Sequence, residues 1–314
     1  MDEDLPEGET YHKCKRAAGD HPLLNWIKHQ ELFLLEMLRH DGRGNNLPSD
    51  LCSSCGMNIG VHRCKDCFSS QLLYQGCVVD VHARLPLHCV ENWNGTYFQN
   101  VTLKDLGLRI QLGHNIGESC QLPVRAFNND FVLINTHAIH PIAIDFCSCT
   151  KAQSHIQQLL RVGWFPATTS DPKTAATFAV LQHFHILSFD SKVSAYEFYH
   201  TLVRLTDNTG LLKRKDQYKV FMHMVREFQH LKMLKQAARG HDPSGIIATQ
   251  QGKCAVLCPA CPHSGKNIPD DWALASKARV YVLASFTLPT SDTCLDGGIP
   301  NFLTKSVSGA AILA

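Results

Sequence analysis

The chain has 314 residues, of which 44% are hydrophobic and 18% are charged. This composition indicates a folded protein with one large or two modest domains, and it excludes general disorder. The 30 basic and 28 acidic side chains leave a formal net charge of only +2. Binding to nucleic acid through overall charge is therefore excluded, and any DNA contact would need a local basic patch.

The N-terminal residues predict the compartment. Met1-Asp-Glu-Asp is acidic, no apolar run follows it, and no apolar segment is long enough to span a bilayer. We therefore expect a nuclear or cytoplasmic protein that is neither secreted nor bound to a membrane. A reducing compartment favours metal ligands and buried thiols over disulfides for the 14 cysteines.

The first predicted element is a helix in an N-terminal arm, residues 1–48. Apolar residues recur at helical spacing over Pro22–Asp41, which predicts a helix packed against another element. The residues of this predicted face are Leu23, Ile27, Leu34 and Leu38. Gly42 is expected to end the helix, and residues 42–48 are expected to form a hinge.

Residues 49–95 contain many soft metal ligands and few residues that could form an apolar core. The ligands are Cys52, Cys55, Cys64, Cys67, Cys77, His82 and His88. A Cys-x-x-Cys pair lets two thiolates reach one ion from a tight turn, and the series is long enough for two tetrahedral zinc sites. We expect metal, rather than burial, to hold this segment together.

The ligand series resembles the cross-brace of a B-box, in which ligand pairs one and three share one ion and pairs two and four share another. On this resemblance a first group consists of Cys52, Cys55 and Cys77. The second group consists of Cys64, Cys67, His82 and His88. The first group is one ligand short, because Tyr74 stands where the pattern has a ligand.

A three-ligand zinc with an open position is also the arrangement of catalytic zinc sites, so a hydrolytic centre is an alternative for the first group. No Asp or Glu stands at a motif spacing to act as its base. The favoured interpretation is a structural site that is degraded or is completed by His62, Asp80 or Cys89.

Residues 96–150 are predicted to form a β-rich unit. Alternating apolar residues predict a strand over Val101 to Leu112, and the stretches 131–135 and 139–146 predict a hairpin around Thr136 to Ala138. The second hairpin strand leads into Cys147 and Cys149, which would point to the same side of that strand.

We expect a third metal group at the end of this unit. Its predicted ligands are His114, Cys120, Cys147 and Cys149, and the rival partners for the C-x-C pair are Cys258 and Cys261. The alternative is that Cys147 and Cys149 are buried thiols that act as small hydrophobes.

Residues 151–262 are predicted to be a helical domain, with helices starting near Ala152 and over 174–187, 193–205 and 216–238. Phe221, Val225, Phe228 and Leu231 form the predicted core face of the last helix. A basic patch follows the same region: Lys213, Arg214, Lys215, Lys219, Arg226, Lys232, Lys235 and Arg239. Such a stripe can lie along phosphates, although a solvated helix face is the commoner explanation.

Several motifs resemble one known family, and the likeness extends from about Trp26 to Trp272. They include Asn92-Trp-Asn-Gly, Leu106-Gly-Leu-Arg-Ile-Gln-Leu-Gly-His114, Asp145-Phe-Cys-Ser-Cys149, Ser194-Ala-Tyr-Glu-Phe-Tyr199, Arg239-Gly-His-Asp-Pro243 and Leu257-Cys-Pro-Ala-Cys-Pro262. The chain resembles the C-x-C-type cysteine-cluster domain at the front of KDZ (Kyakuja, Dileera and Zisupton) transposases. The resemblance implies a zinc-binding domain that helps the transposase to recognise DNA, with cleavage in a separate RNase-H-like domain.

The sequence departs from the family after Trp272, where the Asp-Ala-Asn-Phe-like motif of the catalytic domain is missing. Residues 263–314 are therefore interpreted as a truncated start of the transposase domain followed by an irregular tail. Together these patterns predict an α+β protein with two or three structural zinc ions and no enzymatic activity. It would serve DNA recognition or assembly with a KDZ transposase, and the alternatives are a B-box-like protein-interaction module or, less favoured, a zinc enzyme.

Overall fold

A computed structural model describes residues 22–47, 49–68, 71–115, 117–127, 130–210, 215–250 and 252–254. Residues up to Val225 belong to one compact unit, and residues from Arg226 belong to a second. Helices and β-sheets are both present, so the predicted α+β class is confirmed. Among the described residues, no helix is both long and apolar enough to cross a membrane.

The N-terminal arm contains two helices rather than one. Helix α1 spans Pro22–Ile27 and α2 spans Gln30–Asp41. The expected end at Gly42 is confirmed, since its N–H donates to the Leu38 carbonyl at 3.1 Å.

The expectation that the arm packs through an apolar face is wrong for the part of the chain that is described. No residue of α2 is buried, and Leu34 and Leu38 are each 57% exposed. The reason lies in residues 32–35, four consecutive large apolar residues that point in all directions around the helix and leave no single apolar stripe.

Arg63 fastens the end of α2 to the following module. Its guanidinium donates to the carbonyls of His40 at 2.6 Å and Gly42 at 3.0 Å, which lie where a helix leaves acceptors unsatisfied. Glu91 holds the same guanidinium from the other side, with its carboxylate 2.8 Å away and almost completely buried. The attachment to α2 therefore consists of hydrogen bonds from a charged guanidinium to carbonyl groups, and the ion pair with Glu91 holds that guanidinium within the module.

Residues 49–101 build a small antiparallel sheet with one helix. Strands β1, β2 and β3 lie in that order, and α3 lies between β1 and β2 in sequence. The bounds are β1 His62–Cys64, α3 Gln75–His82, β2 Val90–Trp93 and β3 Phe98–Val101. In the described part of this region, the apolar core cluster consists of five buried residues: Val78, Val90, Leu103, Leu106 and Leu108.

The predicted strand from Val101 to Leu112 is wrong over most of its length. Strand β3 ends at Val101, and a turn follows in which the Thr102 hydroxyl accepts from the Asp105 N–H at 3.1 Å. Only β4, Ile110–Gln111, pairs with another strand. Leu106 and Leu108 are buried in the small core by a turn and not by a strand, whereas Leu112 is buried in the larger core.

The hairpin prediction is confirmed for β6, Phe131–Ile134, and β7, Ile139–Ile142, which pair antiparallel. The second predicted strand does not continue unbroken. After Ala143 the chain enters β8, Ile144–Cys147, which belongs to a different sheet. In that sheet β8 lies between β4 and β5, Pro123–Arg125.

The hairpin is part of a four-stranded sheet in the order β7, β6, β10, β9, in which β10 runs parallel to β6. Strand β9 spans Trp164–Pro166 and β10 spans Thr174–Thr177. The predicted helix over 174–187 is therefore wrong at its first four residues, which are completely buried as a strand. The helix begins after Thr177, whose hydroxyl accepts from the Val180 N–H at 3.2 Å.

Helices cover the remainder of the described chain: α4 His155–Arg161, α5 Phe178–Asp190, α6 Ala195–Thr206 and α7 Tyr218–Gln236. Capping boxes fix the starts of α4, through Ser154 and Gln157, and of α6, through Ser194 and Glu197. In α7, Phe221 and Val225 are buried as predicted, whereas Leu231 is 47% exposed.

The Gln158 side chain joins α4 to the end of β8. Its Oε1 accepts from the Cys147 N–H and its Nε2 donates to the Cys147 carbonyl, both at 2.9 Å. Gly113 packs against this junction with φ +79°, and a Cβ there would lie 2.7 Å from the Cys147 Cβ. The close approach leaves no room for a side chain at residue 113.

We predict that Gly113→Ala destabilises the protein more than Gly163→Ala. The two glycines have almost the same φ, +79° and +77°, but the nearest atom to a Cβ at residue 163 is 4.0 Å away. Both variants should lose about 1 to 2 kcal/mol for a left-handed backbone. Gly113→Ala should lose about a further 1 to 3 kcal/mol for overpacking. Denaturant unfolding measures both losses, and equal losses would contradict the packing described around Cys147.

Candidate metal centres

Among the residues that the structure describes, four groups of cysteine and histidine side chains have their ligand atoms within 4.8 Å of one another. Three of them contain the residues that the sequence analysis grouped: Cys52, Cys55 and Cys77; Cys64, Cys67, His82 and His88; and His114, Cys120, Cys147 and Cys149. The fourth group, Cys89, His137 and His140, was not predicted. Each group offers sulfur and imidazole donors that can hold a metal ion.

The second group has the spacing of a tetrahedral site. The His88 Nδ1 lies 3.4 Å from the Sγ of both Cys64 and Cys67, and the His82 Nε2 lies 3.5 Å from the Cys67 Sγ. Metal bonds of about 2.3 Å to sulfur and about 2.0 Å to nitrogen place the donors of a tetrahedral zinc about 3.3 to 3.8 Å apart. The observed distances fit that range.

The surrounding protein fixes the orientation of these ligands. The Nδ1 of the fully buried His82 lies 2.8 Å from the carbonyl of Val78, one turn earlier in α3, so this nitrogen donates and leaves Nε2 for the metal. Burial raises the pKa of Cys64 to about 12, partly offset by backbone N–H groups. A bound cation would displace this proton, because the thiolate is the form that ligates.

The first group has three thiols that lie together at the start of α3. Burial raises the pKa of Cys52, but backbone N–H groups of Tyr74, Cys55 and Ser54 outweigh it and lower the pKa to about 7. These backbone hydrogen bonds therefore favour the thiolate form of Cys52. Burial and the neighbouring thiols of Cys55 and Cys52 raise the pKa of Cys77 to about 11.

None of the three residues considered as a fourth ligand joins the first group. His62, Asp80 and Cys89 are absent from this set of described side chains, and Cys89 lies in the fourth group instead. Tyr74 precedes α3 and lies next to the group through its N–H bond to Cys52. The group also contains no carboxylate that could serve as a base.

The third group forms where the loop after β4 meets the end of β8. The His114 Nε2 lies 3.1 Å from the Cys147 Sγ, and the Cys120 Sγ lies 3.6 Å from the Cys149 Sγ. The prediction that Cys147 and Cys149 point to the same side of one strand is wrong, because β8 ends at Cys147 and Cys149 lies beyond it. A turn brings the two sulfurs together, with the Cys149 N–H donating to the Cys147 Sγ at 3.4 Å.

Backbone and side-chain hydrogen bonds favour thiolate at one ligand of the third group. Burial raises the pKa of Cys120, but the Leu122 N–H and the side chains of Cys149, His114 and Cys147 lower it to about 7. The pKa of Cys149 is raised by its bonds to Cys147 and Cys120 and by burial. The rival ligands Cys258 and Cys261 lie outside the described residues.

The fourth group joins separate parts of the chain. Cys89 follows the second group's His88, whereas His137 lies in the turn of the β6–β7 hairpin and His140 lies on β7. Burial, followed by the Asp66 charge, raises the pKa of the Cys89 thiol to about 11. The sequence signal was the pair of histidines three residues apart, which sequence reasoning passed over because it assigned these residues to a plain hairpin.

The predicted basic patch is only partly exposed. Lys215, Lys219, Arg226 and Lys235 are exposed, Lys232 is half-buried, and Lys213 and Arg214 lie outside the described residues. The prediction that Arg239 belongs to the basic patch is wrong, because its side chain is only 9% exposed and binds other residues of the protein. It donates to the Thr249 hydroxyl at 2.9 Å and pairs with Asp242, so it is not part of the exposed stripe.

Residues 103–210 match the family described as "CxC2 like cysteine cluster associated with KDZ transposases". The match covers about a third of the 314 residues, so the similarity is shown for this stretch and not for the whole chain. The predicted resemblance is thereby confirmed for these residues. No curated protein and no solved structure matches the chain.

The CxC2 stretch contains the whole third group and the two histidines of the fourth. The first and second groups precede it. The C-x-C pair at the end of β8 is therefore a feature of the matched domain, whereas the B-box-like ligand series belongs to the segment in front of it.

We predict that Tyr74→Cys strengthens metal binding at the first group, because it places a fourth thiolate three residues before Cys77, next to Cys52. The dissociation constant should fall at least about tenfold, which corresponds to about 1.4 kcal/mol. Competition with a chromophoric chelator measures the change. Tyr97→Cys is the control, since Tyr97 is exposed in the β2–β3 turn, and an equal gain there would contradict the assignment.

Proposed function

We propose that this protein is a zinc-stabilised, non-catalytic accessory protein of a KDZ-type transposable element. The observation that carries the proposal is that a four-ligand thiol and imidazole group, His114, Cys120, Cys147 and Cys149, lies within the CxC2 match. In this proposal the metal holds the binding surfaces in place, and DNA cleavage belongs to a partner transposase.

Zinc is the ion that these donors fit best. Tetrahedral sites of mixed thiolate and imidazole ligands are typical of structural zinc, which has no redox chemistry and no geometric preference of its own. The second and third groups would each bind one ion through four ligands, and the first would bind one through three thiolates. A site closed by four protein ligands leaves no position for a substrate, which supports a structural role.

DNA contact is proposed for the exposed basic residues near and on α7. Lys215, Lys219, Arg226 and Lys235 offer cations to solvent, and cations of this kind bind phosphates without reading the base sequence. Because the whole chain carries a net charge of only +2, this patch would have to supply the binding. A role of this kind places the protein in the nucleus.

A second candidate function is protein binding through the arm. Large apolar residues of α1 and α2 are at least 47% exposed: Leu23, Leu24, Trp26, Ile27, Leu32, Phe33, Leu34, Leu35, Met37 and Leu38. So many exposed large apolar residues on two neighbouring helices are typical of an interaction surface. In the proposed function its partner would be the transposase itself.

The salt dependence of DNA binding distinguishes the two functions, and we predict how substitutions in the basic patch change it. Lys219→Gln combined with Arg226→Gln should reduce the slope of log K against log salt concentration by about 1.8, since each phosphate contact contributes about 0.9. Fluorescence anisotropy with a labelled DNA duplex measures the slope. The matched control replaces Lys28 and Lys151, which are equally exposed, with Gln.

Each result of this experiment has a definite meaning. A reduced slope for the α7 pair with an unchanged slope for the control supports phosphate binding by α7. Equal slopes for wild type and both variants would contradict it. Absence of any DNA binding by folded wild type, together with binding of a KDZ transposase that is insensitive to salt, would favour the protein-interaction function.

A further inference from the structure

The fourth group has no part in the proposed function and was not predicted from the sequence. We propose that Cys89, His137 and His140 form an additional zinc-binding site that links the cysteine-rich segment to the β6–β7 hairpin. Its ligands come from both sides of the boundary at residue 103, where the CxC2 match begins. An ion bound there would act as a cross-link between the two segments.

The hairpin holds the two histidines in position. The Asn135 N–H donates to the Ala138 carbonyl at 2.9 Å and closes the turn, and His140 pairs with Leu133 in the β6–β7 register. The Nδ1 of His137 lies 3.4 Å from the Asn135 Nδ2, on the hairpin side of the ring. The two imidazole rings have centroids 5.5 Å apart and are inclined at 76°.

The opposite edge of the His137 ring faces the cysteine-rich segment. Its Nε2 lies 3.0 Å from the Leu87 carbonyl and 3.8 Å from the Asp66 Oδ2. The same carboxylate oxygen accepts from the Cys89 N–H at 2.6 Å. Asp66 therefore lies beside two of the three ligands without belonging to the group, and it holds the backbone of Cys89 in place.

Asp66 also connects the fourth group to the second. Its N–H donates to the Cys64 Sγ at 3.4 Å, while its side chain faces Cys89 and His137. His88 and Cys89 are adjacent in the chain and belong to different groups. The two sites would thus share a short, rigid stretch of backbone, so that an ion in one orders the ligands of the other.

The donor set indicates both the metal and its relative affinity. One thiolate and two imidazoles suit zinc, and cobalt is a spectroscopic substitute with the same preferred donors. The ligands are only half-buried, and the group has fewer thiolates than the second or third group. This ion should consequently be the first to leave when a chelator is added.

The test is the number of zinc ions per chain, counted by native mass spectrometry on the full chain. Cys89→Ser and His137→Gln should each lose one ion relative to wild type, and the double variant should also lose only one. The matched control is Cys254→Ser combined with His230→Gln, which changes the same residue types outside all four groups. It should retain the wild-type number of ions.

The outcomes separate this proposal from the proposed function. Equal ion counts for wild type and Cys89→Ser, with circular dichroism showing that both are folded, would overturn the fourth site and leave the other three groups untouched. A loss of two ions in the double variant would overturn it as well, because the residues would then act independently. If wild type bound no zinc at all, the proposed zinc-stabilised function would fail together with it.

With cobalt in place of zinc, the thiolate-to-metal charge-transfer absorption gives a second measurement. Cys89→Ser should remove the contribution of one thiolate, whereas His137→Gln should weaken binding without removing a thiolate from the fully loaded protein. Identical absorption for wild type and Cys89→Ser at saturating cobalt would contradict ligation by Cys89.

Discussion

Thiol and imidazole groups that can hold metal ions lie together in the N-terminal half of this chain, and we propose that metal coordination is the interaction on which this half depends. In the part of the chain that is described, the core cluster of the segment around α3 contains five buried apolar residues, three of which come from the turn after β3. So small a core cannot by itself offset the conformational entropy of an ordered segment. In the proposed function, metal ions bound by the ligand groups on either side of α3 supply the missing constraint, because a metal ion binds the folded arrangement and not the unfolded chain.

The same constraint explains the irregular parts of the fold. Strand β8 ends at the first cysteine of the C-x-C pair, where the backbone must turn so that both sulfurs face His114 and Cys120. The Gln158 side chain and the left-handed Gly113 support this turn from two directions. Loops that carry the ligands are held by hydrogen bonds rather than by apolar packing, as loops at functional sites commonly are.

The sequence allowed the α+β class, the β6–β7 hairpin and the composition of the first three ligand groups to be predicted, since Cys-x-x-Cys spacing and strand patterns are local signals. Predictions from the sequence were wrong where the structure of a segment depends on residues that are distant in the chain. The leucines after Val101 alternate as in a strand, but several of them lie in a turn. Thr174 continues a helical sequence pattern, but it pairs with β6 in a sheet. Arg239 looked like part of a basic stripe because its internal partner, Asp242, is recognised only after folding. The fourth group was missed because Cys89 and His137 are 48 residues apart and meet only in the folded chain.

Hydrogen exchange with and without a metal chelator tests most directly whether metal holds this half of the protein together. We predict that amides of β1 and β2 lose their protection when the ions are removed, whereas those of β6 and β10, which pack in the larger apolar core, keep most of theirs. Metal analysis of the same samples verifies that the ions have left. Unchanged protection of β1 and β2 in metal-free protein would contradict the account, because the small core alone would then be sufficient.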